Sequence, residues 1–381
     1  MILQDRTLPK CIAASFFALL VFSCNKNPKE AEAPEQELAD SINKENKDVI
    51  KELKPTGPAP AWGPNITDEM AVVIEKLGSL GGKPIETLTA AEARTQPTPA
   101  DAVKMVAVDS GMDIPTPLCD TIGKDIPVTG GKTHVRIYTP KGGAAPYPVV
   151  VYYHGGGFVI ANIETYNGGA QGLCELSNTI VVSVEYPKGP EKKFPAAHTT
   201  AFDAYKWVLA NAASFNGDPK KVAVAGESAG GNLACNVSMM ARDKKVQLPL
   251  YQVLVYPVAN NDMNSESYVK YAAAKPLNKP MMAWFVKNAL PSEATAADPR
   301  VSLVKANLAG LPQTLIIGAE IDPLATEGKL LSDKLKDAKV DTSYELYKGV
   351  THEFFGMALV VPEAKKAQEL AAKKLKSAFG M

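Results

Sequence analysis

From residue 125 onward, short apolar runs rich in β-branched residues alternate with longer segments of helical composition. Such runs, when turn-forming residues bound them, are typical of buried strands. Helices are predicted between the runs, for example over Phe202–Ala213 and Glu327–Lys336. The alternation predicts an α/β fold with a mostly parallel sheet that helices flank on both faces. The eight predicted strands are Ile126–Thr129, Thr133–Thr139, Val149–Tyr153, Thr179–Val184, Val222–Ala225, Gln252–Tyr256, Thr314–Ile317 and Ser343–Tyr347.

Two features depart from this alternation. The first two strands follow each other closely and predict a hairpin with Gly130 and Gly131 as its turn. The segments Thr67–Val108 and Ala259–Arg300 contain no strand pattern, and short helical patterns occur in the first of them. We therefore expect these two segments to lie outside the sheet.

A serine lies at the junction between the fifth predicted strand and a helical segment that extends to Arg242. It is Ser228, at the centre of Gly226–Gly230. A serine forced into a tight strand-to-helix turn needs small neighbours, and Gly226, Ala229 and Gly230 provide them. Gly-x-Ser-x-Gly in this setting predicts the nucleophile elbow of an α/β-hydrolase, with Ser228 as the nucleophile. The acidic Glu227 is expected to brace the elbow or the neighbouring loop.

The third predicted strand leads directly into His154-Gly155-Gly156-Gly157. Acyl transfer builds negative charge on a carbonyl oxygen, and backbone N–H groups are suitable donors to that oxygen. We expect the N–H groups of Gly156, Gly157 and Ala229 to form the oxyanion hole. Gly155 lets the loop approach the substrate, and His154 is expected to hold the loop by hydrogen bonds rather than to react.

An acid and a histidine follow the last two predicted strands. Asp322 comes after the seventh strand and His352 after the eighth, so the chain order is Ser228, Asp322, His352. That order is the one expected for a triad on this fold. The predicted chemistry is attack by Ser228 with His352 as the base, while Asp322 orients the imidazole.

With these motifs the chain resembles the bacterial branch of the hormone-sensitive lipase family. The resemblance rests on His154–Phe158, Gly226–Ala234, Asp322–Leu324 with Glu327-Gly328 behind it, and Thr351–Phe354. It implies an α/β-hydrolase fold with an eight-stranded, mostly parallel sheet. It also implies a helical cap formed by residues from about 62–125 and 259–300, and hydrolysis of short-to-medium acyl esters.

Three positions depart from the family pattern. Glu227 replaces the usual Asp before the serine, and Pro187 replaces an Arg. Glu353 follows the histidine, where the family usually has Gly. The Glu353 carboxylate could raise the basicity of His352 or face the solvent, and we expect it to face the solvent.

Composition excludes several classes of function. The chain has 381 residues with 41 basic and 41 acidic side chains, and this balance argues against a nucleic-acid partner. Its five cysteines and four histidines are dispersed along the sequence. Their spacing suggests neither a disulfide framework nor a metal site, and no cofactor is expected.

The N-terminus predicts export. A start with Arg6 and Lys10 precedes an apolar stretch over 11–22, which is short for a membrane span. Residues 1–23 are therefore predicted to be a lipoprotein-type signal peptide, with Cys24 as the lipidated residue. An ordinary signal peptide that is cut nearby is the alternative. Residues 24–60 are charged and rich in Pro, and they predict a flexible tether to a hydrolase domain over 61–381.

The expected protein is therefore a membrane-anchored lipoprotein, periplasmic or on the cell surface, that hydrolyses small-molecule esters. An amidase or deformylase would use the same triad and remains an alternative. A non-catalytic ligand-binding protein on a hydrolase scaffold is less favoured, because His352 is retained. The sequence leaves the natural ester and the oligomeric state open.

Overall fold

The computed structural model describes residues 45–381, and all eight predicted strands form a single sheet within it. The strands are β1 Cys119–Val128, β2 Gly131–Pro140, β3 Tyr147–Tyr153, β4 Ile180–Val184, β5 Gly217–Glu227, β6 Tyr251–Val255, β7 Gln313–Ile321 and β8 Thr342–Thr351. The strand order is β1-β2-β4-β3-β5-β6-β7-β8, and every pair from β4 onward in that order is parallel. The predicted α/β-hydrolase architecture is thereby confirmed.

Two details at the start of the sheet differ from the prediction. β1 begins at Cys119, so residues 119–125 pair with β2 and do not belong to the first cap segment. This half of β1 is polar and largely exposed, so it lacks the apolar pattern that marks buried strands. The hairpin turn consists of Thr129 and Gly130, because Gly131 already pairs with Val128.

Helices cover both faces of the sheet. The helices are α1 (described over 45–52), α2 Asp68–Ser79, α3 Ala90–Ala93, α4 Pro99–Asp109, α5 Asn167–Ser177, α6 Ala196–Asn211, α7 Ala229–Asp243, α8 Glu266–Lys270, α9 Lys279–Ala289, α10 Ala325–Asp337 and α11 Pro362–Phe379. Successive residues of β3 point to opposite faces of the sheet. Val150 and Tyr152 pack with α5 and α11, whereas Val151 and Tyr153 pack with α6, α7 and α10. Short 3-10 turns lie at Ile85–Thr87, Ala212–Phe215, Glu293–Ala297, Leu303–Lys305 and Phe354–Gly356.

The two segments that were expected outside the sheet pack against each other. α2 lies against α4, and capping boxes at Thr89 and Thr98 begin α3 and α4. Buried side chains of both segments form a separate apolar cluster, to which Ala90 and Trp284 belong. Trp284 Nε1 also donates a hydrogen bond to the carbonyl of Leu88 at 2.9 Å.

Residues 45–60, the described part of the predicted tether, contact the hydrolase domain and do not form a free linker. Asn46 exchanges hydrogen bonds with the backbone of Asp113, and its Nδ2 lies 2.8 Å from the Asp113 carbonyl. The Glu75 carboxylate accepts from the N–H groups of Thr56 and Gly57. Residues 45–60 therefore lie on the domain. Their few apolar side chains pack onto the core although the composition is polar: Val49, Ile50 and Leu53.

The remaining predictions for the N-terminus concern residues that the structure does not describe. The signal peptide, Cys24 and the first part of the tether lie outside the described residues. Among the helices of residues 45–381, none is long and apolar enough to cross a membrane.

Candidate active site

Ser228 lies on a sharp turn between β5 and α7. Its backbone has φ 56° and ψ −118°, a conformation that residues with a side chain rarely adopt. A Cβ on Gly230 would overlap the carbonyl of Tyr153 at the end of β3, so a side chain there would separate the turn from the sheet. The Ser228 N–H donates to the carbonyl of Val255 at 2.8 Å. The turn thus presents Ser228 beyond the carboxyl ends of the central strands.

Asp322 and His352 form a buried pair beyond the ends of β7 and β8. Asp322 Oδ2 lies 2.7 Å from His352 Nδ1, and Asp322 Oδ1 accepts from the N–H of Leu324 at 2.8 Å. Burial alone would lower the pKa of His352, but the charge and hydrogen bond of Asp322, aided by Glu353 and Glu227, raise it above its usual value. This arrangement holds the ring and favours the imidazolium that a general base forms.

Ser228 and His352 line the same cavity, whose volume is about 450 Å³. Both side chains are buried except where the cavity reaches them. Among residues 45–381, no hydrogen bond joins Ser228 Oγ to His352 within 3.5 Å. Hydrogen bonds between a nucleophile and its base often tighten only when a substrate binds, and here the shared cavity brings the two side chains together.

The glycine loop after β3 forms another part of the cavity wall. Gly156 and Gly157 have φ values of 96° and 59°, in the region that favours glycine. A Cβ on Gly157 would collide with the ring of Phe285 in α9. The loop therefore fits closely beneath the second inserted segment, and Gly156 lines the cavity with Ser228.

His154 is buried at the base of this loop. Its Nδ1 lies 2.8 Å from the carbonyl of Gly155, and its ring stacks on Tyr186 with centroids 4.2 Å apart. The Tyr186 hydroxyl donates to the carbonyls of His154 and Gly155. Burial lowers the pKa of His154 to about 4, so the ring is neutral near pH 7. These contacts fix the loop and give His154 no access to the cavity lining.

Glu227 is a buried carboxylate directly before the serine. It accepts hydrogen bonds from the hydroxyls of Tyr152 and Tyr256. Burial raises its pKa to about 7, although the two tyrosine hydrogen bonds oppose this shift. The carboxylate thus connects the elbow to β3 and to the residue that follows β6.

Glu353 was expected to face the solvent, but it is half-buried and one of its carboxylate oxygens is held by a hydrogen bond. Its Oε1 accepts a hydrogen bond from the hydroxyl of the buried Tyr166 at 3.0 Å, and Glu353 lines the cavity beside His352. Burial raises the pKa of its carboxyl group. No pattern in the sequence around Glu353 predicts this contact, because Tyr166 is distant along the chain.

The two segments outside the sheet, Thr67–Val108 and Ala259–Arg300, form the outer wall of the cavity. Hydrogen bonds that the sequence did not predict hold these segments in place. Arg94 Nε donates to the carbonyl of Val159 at 2.8 Å, and its guanidinium pairs with Glu191. Asn232, in α7, donates to the carbonyls of Val258 and Val301. The wall includes Leu77, Ile85 and Arg94 from the first segment and Leu277, Met281 and Phe285 from the second.

The cysteine and histidine side chains do not assemble into a metal centre in the described part of the chain. No group of three or more His, Cys, Asp or Glu side chains there could hold a metal ion. The thiols of Cys119, Cys174 and Cys235 are free and buried.

Comparisons with known proteins agree with this geometry. A family model described as the alpha/beta hydrolase fold matches residues 150–356, a range that includes Gly156, Ser228, Asp322 and His352. Carboxylesterase NlhH of Mycobacterium tuberculosis is 35% identical over 249 residues, which cover 64% of this chain and 78% of that protein. Ethyl acetate hydrolase of Pseudomonas putida is 29% identical over 78% of this chain and 94% of its own length. The solved structure of an esterase from Pyrobaculum calidifontis is 36% identical, with a TM-score of 0.71 over 80% of this chain and 96% of that one.

Proposed function

Because the chain belongs to the alpha/beta hydrolase fold family and is a carboxylesterase-like hydrolase, we propose that it cleaves short-to-medium acyl esters through a Ser228 acyl-enzyme. One observation carries this proposal. The hydrogen-bonded pair of Asp322 and His352 lies in the same small cavity as a serine on a strained turn. Asp322, His352 and Ser228 have the roles of orienting acid, general base and nucleophile.

The reaction follows from these roles. Ser228 Oγ attacks the ester carbonyl while His352 Nε2 takes its proton, and Asp322 stabilises the resulting imidazolium. The N–H groups of Gly156, Gly157 and Ala229 donate to the oxyanion. The alcohol leaves with the proton from His352. A water molecule, activated by His352, then cleaves the acyl-enzyme and releases the acid.

The size of the cavity supports a small substrate. A volume of about 450 Å³ lies in the range of small-molecule sites. Side chains of the inserted segments, including Phe285 and Met281, border it. A relative carries the name ethyl acetate hydrolase, which denotes a short ester for that protein. These facts favour short-to-medium acyl chains.

The N-terminal sequence supports a location at a membrane. We propose that residues 1–23 are a signal peptide and that a lipid on Cys24 anchors the enzyme in the periplasm or on the cell surface. Metabolic labelling with an alkyne fatty acid tests this proposal. We expect label on the full chain and none on a Cys24→Ala variant. An exported chain without label would indicate an ordinary signal peptide.

The first experiment is hydrolysis of p-nitrophenyl esters from acetate to palmitate by the full-length chain. We expect the highest kcat/KM at short chains and a loss of about 10⁶-fold in Ser228→Ala. A matched control is Ser238→Ala on the same helix, where the hydroxyl only donates to the carbonyl of Ala234. Retention of a hundredth of the activity by Ser228→Ala would overturn the proposal. Activity on p-nitroacetanilide that exceeds activity on every ester would instead assign an amidase.

A further inference from the structure

One carboxylate beside the proposed base has no direct chemical step in the proposed reaction. The Glu353 carboxylate lines the cavity with Ser228 and His352. Its Oε1 accepts the 3.0 Å hydrogen bond from Tyr166. Within residues 45–381, no hydrogen bond to Glu353 Oε2 is found. One carboxylate oxygen is therefore anchored, and the other has no partner from the protein.

The backbone at this position is unusual for a residue with a side chain. Glu353 has φ 69° and ψ 4°, in the left-handed region where glycine is favoured. Strained residues of this kind cluster at functional sites, where the surrounding structure holds them. Here Tyr166 supplies that restraint, and its own ring is buried in the core on the α5 side of the sheet. The hydrogen bond from Tyr166 thus holds one oxygen of the Glu353 side chain at the cavity wall.

The cationic side chains on the cavity wall are either paired with other carboxylates or exposed to solvent. Arg94 pairs with Glu191, and Lys188 pairs with Glu185. Lys83 and Lys275 are exposed. Within the described chain, no ion pair includes Glu353. A half-buried carboxylate without such a partner gains from a hydrogen-bond donor brought by the ligand.

The charge balance of the wall indicates which donor this would be. Its cationic residues are Lys83, Arg94, Lys188 and Lys275, and its acidic residues are Glu86 and Glu353. Glu191 and Glu185, which pair with Arg94 and Lys188, balance the remaining charge, so the wall as a whole has no net negative field that would draw an ammonium group into the cavity. A neutral hydroxyl needs no such field to donate a hydrogen bond to a carboxylate.

We propose that Glu353 is a specificity-determining residue that accepts a hydrogen bond from a hydroxyl group of the ester substrate. The preferred substrates are then esters that retain a free hydroxyl near the scissile bond, such as partly esterified polyols or hydroxy-acid esters. This inference rests on the proposed esterase function. It goes further because it assigns the substrate class and a residue that selects it.

The test uses pairs of esters in which a methyl group replaces the hydroxyl. On the alcohol side, 2-hydroxyethyl butyrate is compared with propyl butyrate; on the acyl side, ethyl 3-hydroxybutyrate is compared with ethyl 3-methylbutyrate. The full-length chain should favour the hydroxylated member of at least one pair by about 10- to 100-fold in kcat/KM. In Glu353→Gly, a residue suited to this backbone, that ratio should fall to about one. Comparison of the same pair in both proteins cancels intrinsic differences in ester reactivity.

The matched control is Glu86→Gln, which removes a negative charge from the 3-10 turn Ile85–Thr87 on the same cavity wall. The hydroxyl preference should survive this change. The proposal is overturned if the full-length chain shows no preference, if the preference persists in Glu353→Gly, or if Glu86→Gln removes it equally. Hydrolysis of propyl butyrate by Glu353→Gly shows that the variant is folded. Failure of the full-length chain to hydrolyse any ester would overturn the proposed function instead.

Discussion

The ring of Tyr256 lies 4.5 Å from the imidazole of His352, while its hydroxyl donates a hydrogen bond to Glu227. One tyrosine therefore connects the residue before the nucleophile to the proposed base. The hydroxyl of Tyr152, near the end of β3, donates a hydrogen bond to the other carboxylate oxygen of Glu227. The buried Glu227 carboxylate thus connects the end of β5, which carries Ser228, to the ends of β3 and β6, although Glu227 does not line the cavity itself.

Removal of the Tyr256 hydroxyl should loosen this connection. In Tyr256→Phe the ring against His352 remains, but Glu227 loses one of its two tyrosine donors in a buried site. We expect a loss of about 1–3 kcal/mol in the free energy of unfolding, measured by urea denaturation. Tyr347→Phe is the control, since this half-buried tyrosine on β8 contacts Phe354 through its ring. Equal effects of the two changes would show that the Glu227 contact adds no stability.

The carboxylate of Asp322 should matter for the rate rather than for binding. Asp322→Asn keeps the shape of the side chain but removes the charge that stabilises the His352 imidazolium, and it favours the wrong tautomer. We expect kcat to fall about 10⁴-fold while KM changes little. Asp333→Asn on the exposed face of α10, where Asp333 pairs only with Lys329, should leave kcat unchanged. A drop of less than about tenfold for Asp322→Asn would contradict its assigned role.

Much of this site could be predicted from sequence, because each proposed triad residue immediately follows a strand of the sheet. Ser228, Asp322 and His352 are fixed in space once the parallel sheet forms. The supporting tyrosines could not be found in this way, since Tyr152 occurs in an apolar run that resembles ordinary core. The hydrogen bond of its hydroxyl depends on the β3–β5 pairing, which is a tertiary property.

The orientation of Glu353 could not be predicted from sequence either. A carboxylate beside a histidine in a polar loop normally faces water, and no local pattern distinguishes this one. Its orientation depends on Tyr166, which lies 187 positions earlier in the chain. Polar residues that are partnered across such distances are recognised only after the chain has folded.

The charge of Glu353 should also affect the pH dependence of catalysis. Its carboxylate contributes to the raised pKa of His352, and His352 must be neutral to act as the base. Activity therefore increases as pH rises through that pKa. In Glu353→Gln the pKa of His352 falls, so the acid limb of the kcat/KM profile should move to lower pH. Glu345→Gln carries the same charge change on the exposed part of β8 and should not move the profile. An acid limb that stays in place in Glu353→Gln would contradict the electrostatic contribution.

Glu327 should make the stability of the protein dependent on pH. Its Oε1 accepts from the N–H of Ala259 at 2.7 Å, while burial raises its pKa from 4.5 to about 8. Between these values the folded chain holds a proton that the unfolded chain has lost. The contribution of Glu327 to the free energy of unfolding is therefore fully present below about pH 4.5, and it is lost as pH rises through about 8.

The variant Glu327→Gln tests this dependence, because an amide oxygen can still accept from Ala259 but does not titrate. Between pH 5.5 and 7.5, the wild-type chain should lose about 2 kcal/mol more of its free energy of unfolding than the variant. Urea denaturation at the two pH values measures the difference. Glu369→Gln on the exposed side of α11 should behave as the wild type does. If wild type and Glu327→Gln lose stability equally over this range, the prediction is wrong. Glu327 is then ionised in the folded chain, and contacts other than the N–H groups of Ala259 and Asn260 stabilise its charge.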